Sequence, residues 1–236
     1  MTEWAVKRFW TTAGVEETEG GFSILLDKTS IKTPAKAQII VPTRALAEKI
    51  AEEWNAQGEM VDPLTMPHTR MTNSAIDKVK AQFDEVVEHL ASYAETDYLC
   101  YRADGPEELV VRQNEAWTPL LDWASECLNA RLNTGKGILY VPQPSESLSN
   151  LRDRISTMSP FSLAALHELI TISGSFVAAL AVIYGHKTVE DIWEICQIDE
   201  IWQIEQWGPD DLAEAASAQK KYDFSLAAKY YSLLQV

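Results

Sequence analysis

The sequence predicts an α+β protein, with a small, mostly antiparallel β domain at residues 1–67 and a larger all-helical domain at residues 68–236. Before residue 67, short apolar runs rich in Ile, Val and Leu are separated by turn residues, as in strands joined by tight turns. After residue 68, apolar residues recur every three to four positions, which is the helical period. A chain of 236 residues buries enough surface to fold without disulfides.

Short strands are expected in the N-terminal part. The candidates are residues 4–10, 22–26, 31–33 and 38–41. Residues 27–30 form the predicted turn of a hairpin, and Pro34 ends its second strand because proline cannot donate to the ladder. These segments predict a small antiparallel sheet.

One helix is predicted within this domain, from residue 44 to residue 57. Thr43 can cap its first turn, and Gly58 is placed to end it. Its apolar stripe consists of Leu46, Ile50 and Trp54. We therefore expect Trp54 to have a structural role in packing this helix.

Helical periodicity dominates the rest of the chain. One amphipathic face contains Ile76, Val79, Phe83, Val86, Val87 and Leu90. Pro106 is expected to begin another helix, and Pro119 to restart it as a first-turn residue. Residues 138–141 form an isolated strand-like patch.

The longest stretch without a charged residue or histidine runs from residue 169 to residue 184. It is shorter than the roughly 20 residues that a bilayer requires, so we predict a central buried helix rather than a membrane insertion. Small residues at 173–175 would permit close helix packing. Ser159 and Pro160 predict a helix start before this stretch, and Gly185 predicts its end.

The charge balance restricts the kind of partner. The chain has 20 Lys and Arg against 35 Asp and Glu, a net charge of −15. Nucleic acid and anionic membrane surfaces need a positive face, so neither is an expected partner. Such a negative charge instead favours solubility, or a protein partner with basic patches.

Sequence motifs for catalysis or cofactor binding are missing. The sequence contains no phosphate-binding loop, no GxGxxG and no GxSxG, and its four histidines are far apart. We therefore expect no catalytic residue, no cofactor and no metal site. Cys100, Cys127 and Cys196 form no CxxC, which favours reduced thiols. With no signal or transit peptide seen, a cytoplasmic protein is expected.

Residues 190–214 form an unusual segment, which we call the acidic aromatic segment. It carries nine acidic residues and no Lys or Arg, and it holds Trp193, Trp202 and Trp207. Two interpretations stay open. The segment is either an amphipathic helix with core tryptophans and a solvated acidic face, or a docking surface for a basic partner with exposed apolar groups.

Several motifs, read in order, resemble one family, the assembly chaperones of the F(1)-ATPase alpha subunit. They include Lys7-Arg8-Phe9-Trp10, Glu53-Trp54-Asn55-Ala56-Gln57, Met66-Pro67-His68-Thr69, Asn73-Ser74-Ala75-Ile76-Asp77, Thr96-Asp97-Tyr98-Leu99-Cys100-Tyr101-Arg102, Trp117-Thr118-Pro119-Leu120-Leu121 and Asp199-Glu200-Ile201-Trp202-Gln203. The matches extend across nearly the whole chain.

The resemblance implies a non-enzymatic, ATP-independent chaperone that holds the free alpha subunit of the ATP synthase catalytic head until it pairs with beta. It also implies a β domain followed by a helical domain and, since no transit peptide is seen, a bacterial cytoplasmic protein. The expected partner-binding residues are Asp199, Glu200, Glu205, Trp202 and Trp207. Two alternatives remain, an enzyme that uses carboxylates in an inter-domain cleft and a structural subunit of a stable complex.

Overall fold

A computed structural model describes residues 7–235 of the chain. These residues form two compact units. The first contains residues 7–83, 159–165 and 229–235, and the second contains residues 84–158 and 166–228. A small antiparallel sheet is followed by mostly helical structure, so the predicted α+β class is confirmed. The predicted domain boundary after residue 67 stays a prediction.

The sheet of the first unit is built around one central strand. Its strands are β1 (Ala13–Thr18), β2 (Gly21–Leu26), β3 (Thr29–Ser30) and β4 (Ile40–Val41). The β2 strand pairs antiparallel with each of the other three. It presents Ile24 and Leu26, both almost completely buried, to the core of this unit.

The predicted strands are only partly correct. The strands predicted at 22–26 and 38–41 exist as β2 and β4, whereas the return strand lies at 29–30 rather than at 31–33. Residues 4–6 of the first predicted strand lie outside the described residues, and in its remainder only Lys7 forms a bridge, with Met60. The sequence did not predict β1, because its glycine and its two adjacent glutamates have low β propensity. Hydrogen bonding to β2 along its whole length stabilises this strand instead.

The predicted N-terminal helix is confirmed as α1 (Arg44–Asn55). The Thr43 hydroxyl accepts a hydrogen bond from the Leu46 amide over 3.3 Å, which caps the first turn. Trp54 is half-buried and packs on Trp10, with 5.1 Å between ring centroids. The predicted structural role of Trp54 agrees with this contact.

A second helix of this unit, α2 (Pro67–Ser74), begins at a buried carboxylate. The two Glu53 oxygens accept hydrogen bonds from the backbone amides of His68 and Thr69, over 2.7 and 2.8 Å. A π-helical turn over Ala75–Val79 follows. Glu53 thus compensates the unpaired amides of a helix N-terminus.

The remaining helices are α3 (Phe83–Ser92), α4 (Glu107–Leu128), α5 (Ser145–Ser156), α6 (Pro160–Ser173), α7 (Phe176–Ile183), α8 (Val189–Cys196), α9 (Ile198–Trp207) and α10 (Asp211–Leu233). A short parallel pair joins β5 (Tyr101–Arg102) to β6 (Gly135–Lys136). The second unit is built mainly of these helices, and α7 is buried from Phe176 to Ala181.

Two helical predictions need correction. The α4 helix continues through Pro119, since the buried Trp117, Leu120 and Leu121 around it hold the helix together. The apolar run 169–184 is two helices rather than one. It breaks at Gly174, whose φ of 70° is left-handed.

The strand-like patch at 138–141 is not a strand. Ile138, Leu139 and Tyr140 lie in an exposed loop, because no neighbouring strand continues the β5–β6 pair there among the described residues. Within residues 7–235, no helix combines the length and the apolar character that crossing a membrane demands.

The α7 helix starts at a second buried carboxylate, Asp97. One Asp97 oxygen accepts from the Ser175 hydroxyl and the Val177 amide, over 3.0 and 2.9 Å, and the other accepts from the Leu99 amide. Because Asp97 has no exposed surface, burial raises its pKa to about 6 against the opposing effect of these donors. Asp97 therefore connects the chain around Leu99 to the start of α7.

Candidate functional site

The acidic aromatic segment spans α8, α9 and the start of α10. The α9 helix is unusual within it because none of its ten residues is buried. Residues three and four positions apart share one side of a helix. This spacing divides α9 into an inner face with Asp199, Trp202 and Glu205 and an outer face with Glu200, Ile204 and Trp207.

On the inner face, Asp199 joins an internal hydrogen-bond network. Its carboxylate accepts from the Tyr98 hydroxyl over 2.6 Å and from the Gln113 amide over 2.7 Å. Gln113 is almost fully buried in α4, and its carbonyl oxygen in turn accepts from the Ala103 amide. Burial, and next the hydrogen bond to Asp199, raise the pKa of Tyr98, so this hydroxyl stays a donor.

Arg112 of α4 makes two contacts to the same face. Its guanidinium pairs with the Glu205 carboxylate over 2.7 Å and lies over the Trp202 ring, 4.9 Å from the ring centroid. Both contacts are half-exposed, so each contributes modestly to stability. Together with Asp199 they hold α9 against α4.

Buried aromatic side chains pack next to the residues that contact the inner face of α9. Trp117 of α4 is fully buried and donates its indole N–H to the Ile195 carbonyl at the end of α8, over 2.8 Å. The Tyr98 ring packs against Trp117, with 4.9 Å between centroids. The side chains that position α9 therefore belong to a packed core.

The outer face of α9 is open to solvent. Trp207 is 78% exposed and Ile204 is 42% exposed, and Glu200 lies beside them on the same side of the helix. Leu212, in the first turn of α10, is 83% exposed. Exposed large apolar side chains that cluster around acidic groups are typical of protein-interaction surfaces.

The structure separates the five predicted binding residues into two groups. Asp199, Trp202 and Glu205 contact residues of the same unit, whereas Glu200 and Trp207 face solvent. The segment itself contains no Lys or Arg, but Arg112 of α4 forms an ion pair with Glu205. The prediction did not include Ile204 and Leu212. Ile204 lies four positions after Glu200 and three before Trp207, and this spacing alone places the three residues on one side of a helix.

The acidic groups have different roles along the segment. Asp210 caps α10 by accepting from the Ala213 amide over 2.8 Å, and Asp199 and Glu205 have the partners given above. Glu190, Asp191, Glu194 and Glu200 have exposed side chains. Within the described residues, no group of three or more His, Cys, Asp or Glu side chains has the geometry to hold a metal ion.

A family model described as ATP12 chaperone protein matches residues 7–125, half of the chain. The chain belongs to the ATP12 chaperone protein family. The resemblance to the F(1)-ATPase assembly chaperones is thereby confirmed, and with it the predicted function as a chaperone in ATP synthase assembly.

Solved structures agree with membership of the ATP12 family. The crystal structure of Atp12 from Paracoccus denitrificans is 44% identical, with a TM-score of 0.94 over 98% of this chain and all of that one. A structure of an aspartate-to-lysine mutant of the P. denitrificans protein is 43% identical, with a TM-score of 0.95 over 99% of this chain and all of that one. The Schizosaccharomyces pombe protein atp12, mitochondrial, is 25% identical over 86% of this chain and 74% of its own length.

Proposed function

We propose that this ATP12 family chaperone binds the free alpha subunit of the ATP synthase catalytic head through the outer face of α9 and keeps it from aggregating until it pairs with beta. The alpha subunit as client follows from the family resemblance. The observation that carries the choice of surface is the exposed set Glu200, Ile204 and Trp207, on a helix whose opposite face is occupied by internal contacts.

The chemistry of this face suits an unassembled subunit. A subunit that awaits its partner exposes apolar interface, and such patches aggregate. Trp207 and Ile204 can cover apolar surface, while Glu200 can pair with Arg or Lys at its edge. The surplus of 15 negative charges keeps the resulting complex soluble.

The inner contacts give this face a defined position. Because Asp199, Trp202 and Glu205 are held by α4 and by Tyr98, Trp207 and Glu200 are presented without a large ordering cost on binding. No nucleotide is needed for this type of binding, which rests on surface complementarity alone.

The alternative of catalysis by paired carboxylates has less support. The buried carboxylates Glu53 and Asp97 accept hydrogen bonds at helix N-termini, which is a structural role for each. A chaperone surface on α9 requires no titrating pair.

The test compares two variants of the outer face with a matched charge reversal elsewhere. Glu200→Lys and Trp207→Ala should each abolish most protection of the purified alpha subunit in a light-scattering aggregation assay, with melting temperatures near that of the native chain. Glu126→Lys reverses an exposed charge on α4 and should protect normally. Full protection by both outer-face variants would refute the proposed surface.

A further inference from the structure

We propose that a cavity beside α4 binds a carboxylate group, with Arg102 and Arg131 as its cationic ligands. The cavity has a volume of about 360 Å³ and lies entirely within the second unit. Polar side chains dominate its lining, namely Arg102, Asn114, Thr118, Asp122, Ser125 and Arg131. None of these residues belongs to the outer face of α9, so the inference does not depend on the proposed client surface.

Arg102 is the feature that needs explanation. It is only 6% exposed, yet no carboxylate among residues 7–235 lies within ion-pair distance of its guanidinium. Buried charged side chains are almost always paired with an opposite charge. Arg102 is the only arginine among residues 7–235 that is buried, and its charge lies at the wall of a cavity that an anion could occupy.

The contacts that Arg102 does make leave part of it available. Its N–H groups donate to the Asn114 amide oxygen over 3.1 Å, to the Leu99 carbonyl and, weakly, to the Thr118 hydroxyl over 3.4 Å. Its guanidinium also lies over the Trp117 ring, 5.0 Å from the centroid. An arginine has five N–H groups, so two of them have no described partner, and Arg102 is one of the residues that line the cavity.

These neutral contacts position the guanidinium without neutralising it. Burial lowers the pKa of Arg102, and the nearby Cys100 and Asp97 oppose that effect without contacting the group. An anion in the cavity would compensate the buried charge directly. The orientation set by Trp117, Leu99 and Asn114 prepares the planar fork for such a ligand.

A carboxylate fits the cavity better than a phosphate dianion does. Guanidinium pairs with a planar carboxylate through two parallel hydrogen bonds, and the hydroxyls of Thr118 and Ser125 can donate further ones. Arg131 adds a second positive charge, whereas Asp122 adds a negative one, so the lining has a net charge of one positive unit. One bound monoanion balances that charge, whereas a dianion would leave the site with one surplus negative charge.

Acetate is a suitable probe, because it is the smallest carboxylate with an apolar remainder. In the full chain, the side-chain Nε–H signal of Arg102 should shift and saturate as acetate replaces chloride at constant ionic strength. Asp122→Asn should bind acetate roughly fivefold more tightly and Arg131→Gln roughly fivefold more weakly, as for a partly solvated charge. Lys220→Gln removes a charge from α10 outside the cavity and should bind like the native chain.

The opposite responses of two exposed lining residues make the test independent of whether an Arg102 variant folds. The proposal is overturned if acetate produces no saturable shift, or if Arg131→Gln and Asp122→Asn bind it as Lys220→Gln does. Phosphate binding more tightly than acetate would overturn the assignment of a carboxylate.

A second experiment distinguishes two sources of the carboxylate, an acidic side chain of a bound protein and a free small molecule. If an acidic side chain of a bound protein enters the cavity, saturating acetate should weaken protection of the alpha subunit compared with the same concentration of chloride, and Arg131→Gln should weaken it too. If the ligand is a free small carboxylate, protection should be unchanged in both cases while the Arg102 signal still shifts. Both outcomes support a carboxylate site and assign its source.

Discussion

Buried carboxylates in this protein serve as helix caps. Glu53 accepts at the start of α2 and Asp97 at the start of α7, where amide N–H groups have no partner within the helix. For Asp97 the loss of solvent outweighs these donors, since its pKa rises from the ordinary value of 3.8 to about 6. The folded chain therefore binds this proton more tightly than the unfolded chain does.

This raised pKa predicts a pH dependence with a defined sign. The contribution of Asp97 to the free energy of unfolding is largest when the group is protonated, and it decreases as pH rises from about 4 through 6. Asp97→Asn cannot titrate. The stability of the native chain minus that of Asp97→Asn should therefore fall by about 1 kcal/mol between pH 5 and pH 7.

Urea denaturation of both proteins at pH 5, 6 and 7 measures this difference, and effects of the other acidic groups cancel in the subtraction. A difference that does not fall between pH 5 and pH 7 would show that folding does not raise the pKa of Asp97.

Neighbouring acids on α9 should respond differently to truncation. Asp199→Ala leaves the Tyr98 hydroxyl and the buried Gln113 amide without their acceptor, which should lower the free energy of unfolding by about 1–3 kcal/mol. Glu200→Ala removes an exposed side chain and should change it by less than about 0.5 kcal/mol. Equal effects in chemical denaturation would contradict the assignment of Asp199 to the inner face and Glu200 to the outer one.

At the scale of elements, α7 and α9 represent opposite ways of holding a helix. The α7 helix is buried from Phe176 to Ala181, whereas α9 has no buried residue and depends on side-chain contacts to α4 and Tyr98. Helices with few buried contacts open locally at low free-energy cost. A client-binding helix of this kind combines a defined position with room to adjust.

Hydrogen exchange should show this difference directly. Amides of α9 should exchange faster than those of α7, and Arg112→Ala should accelerate α9 further, because it removes the Glu205 ion pair and the Trp202 contact together. The α7 amides serve as the internal reference and should not change. Protection of α9 equal to that of α7 would contradict the description of α9 as a helix without buried residues that is held by a few side-chain contacts.

For the whole molecule, the dominant property is the net charge of −15. Exposed charges interact over about 8 Å at physiological ionic strength, so they steer a basic client more than they stabilise the fold. The outer face of α9 adds apolar contacts, which salt does not screen. Raising the salt concentration should therefore weaken the electrostatic contribution to client binding and leave the apolar contribution unchanged.

Association with the alpha subunit should slow as sodium chloride rises from 50 to 300 mM, while dissociation changes little. Stopped-flow mixing at several salt concentrations measures both rates, and an uncharged osmolyte at equal osmolality is the control. Glu200→Gln should reduce the salt dependence of the association rate. An association rate independent of salt would show that the acidic groups do not guide the client.

Much of the local structure could be read from the sequence. Thr43 before a regular apolar stripe predicted α1, and Ser159-Pro160 predicted the start of α6, because caps and helical period are local signals. The family motifs predicted the chaperone function for a related reason, since they are read one segment at a time. The acidic aromatic segment was likewise identified from composition alone.

Which residues face inward required the tertiary structure. The same spacing rules apply to Asp199 and Glu200, but only the packing of α4 and Tyr98 against α9 makes the first an internal acceptor and leaves the second exposed. Arg102 and Arg131 are 29 positions apart, and only the fold brings them to one cavity. By itself the sequence determined most of the helices, the charge and the family, because these are read from local segments or from composition. The tertiary structure decided partners and exposure, because these depend on residues distant in the chain.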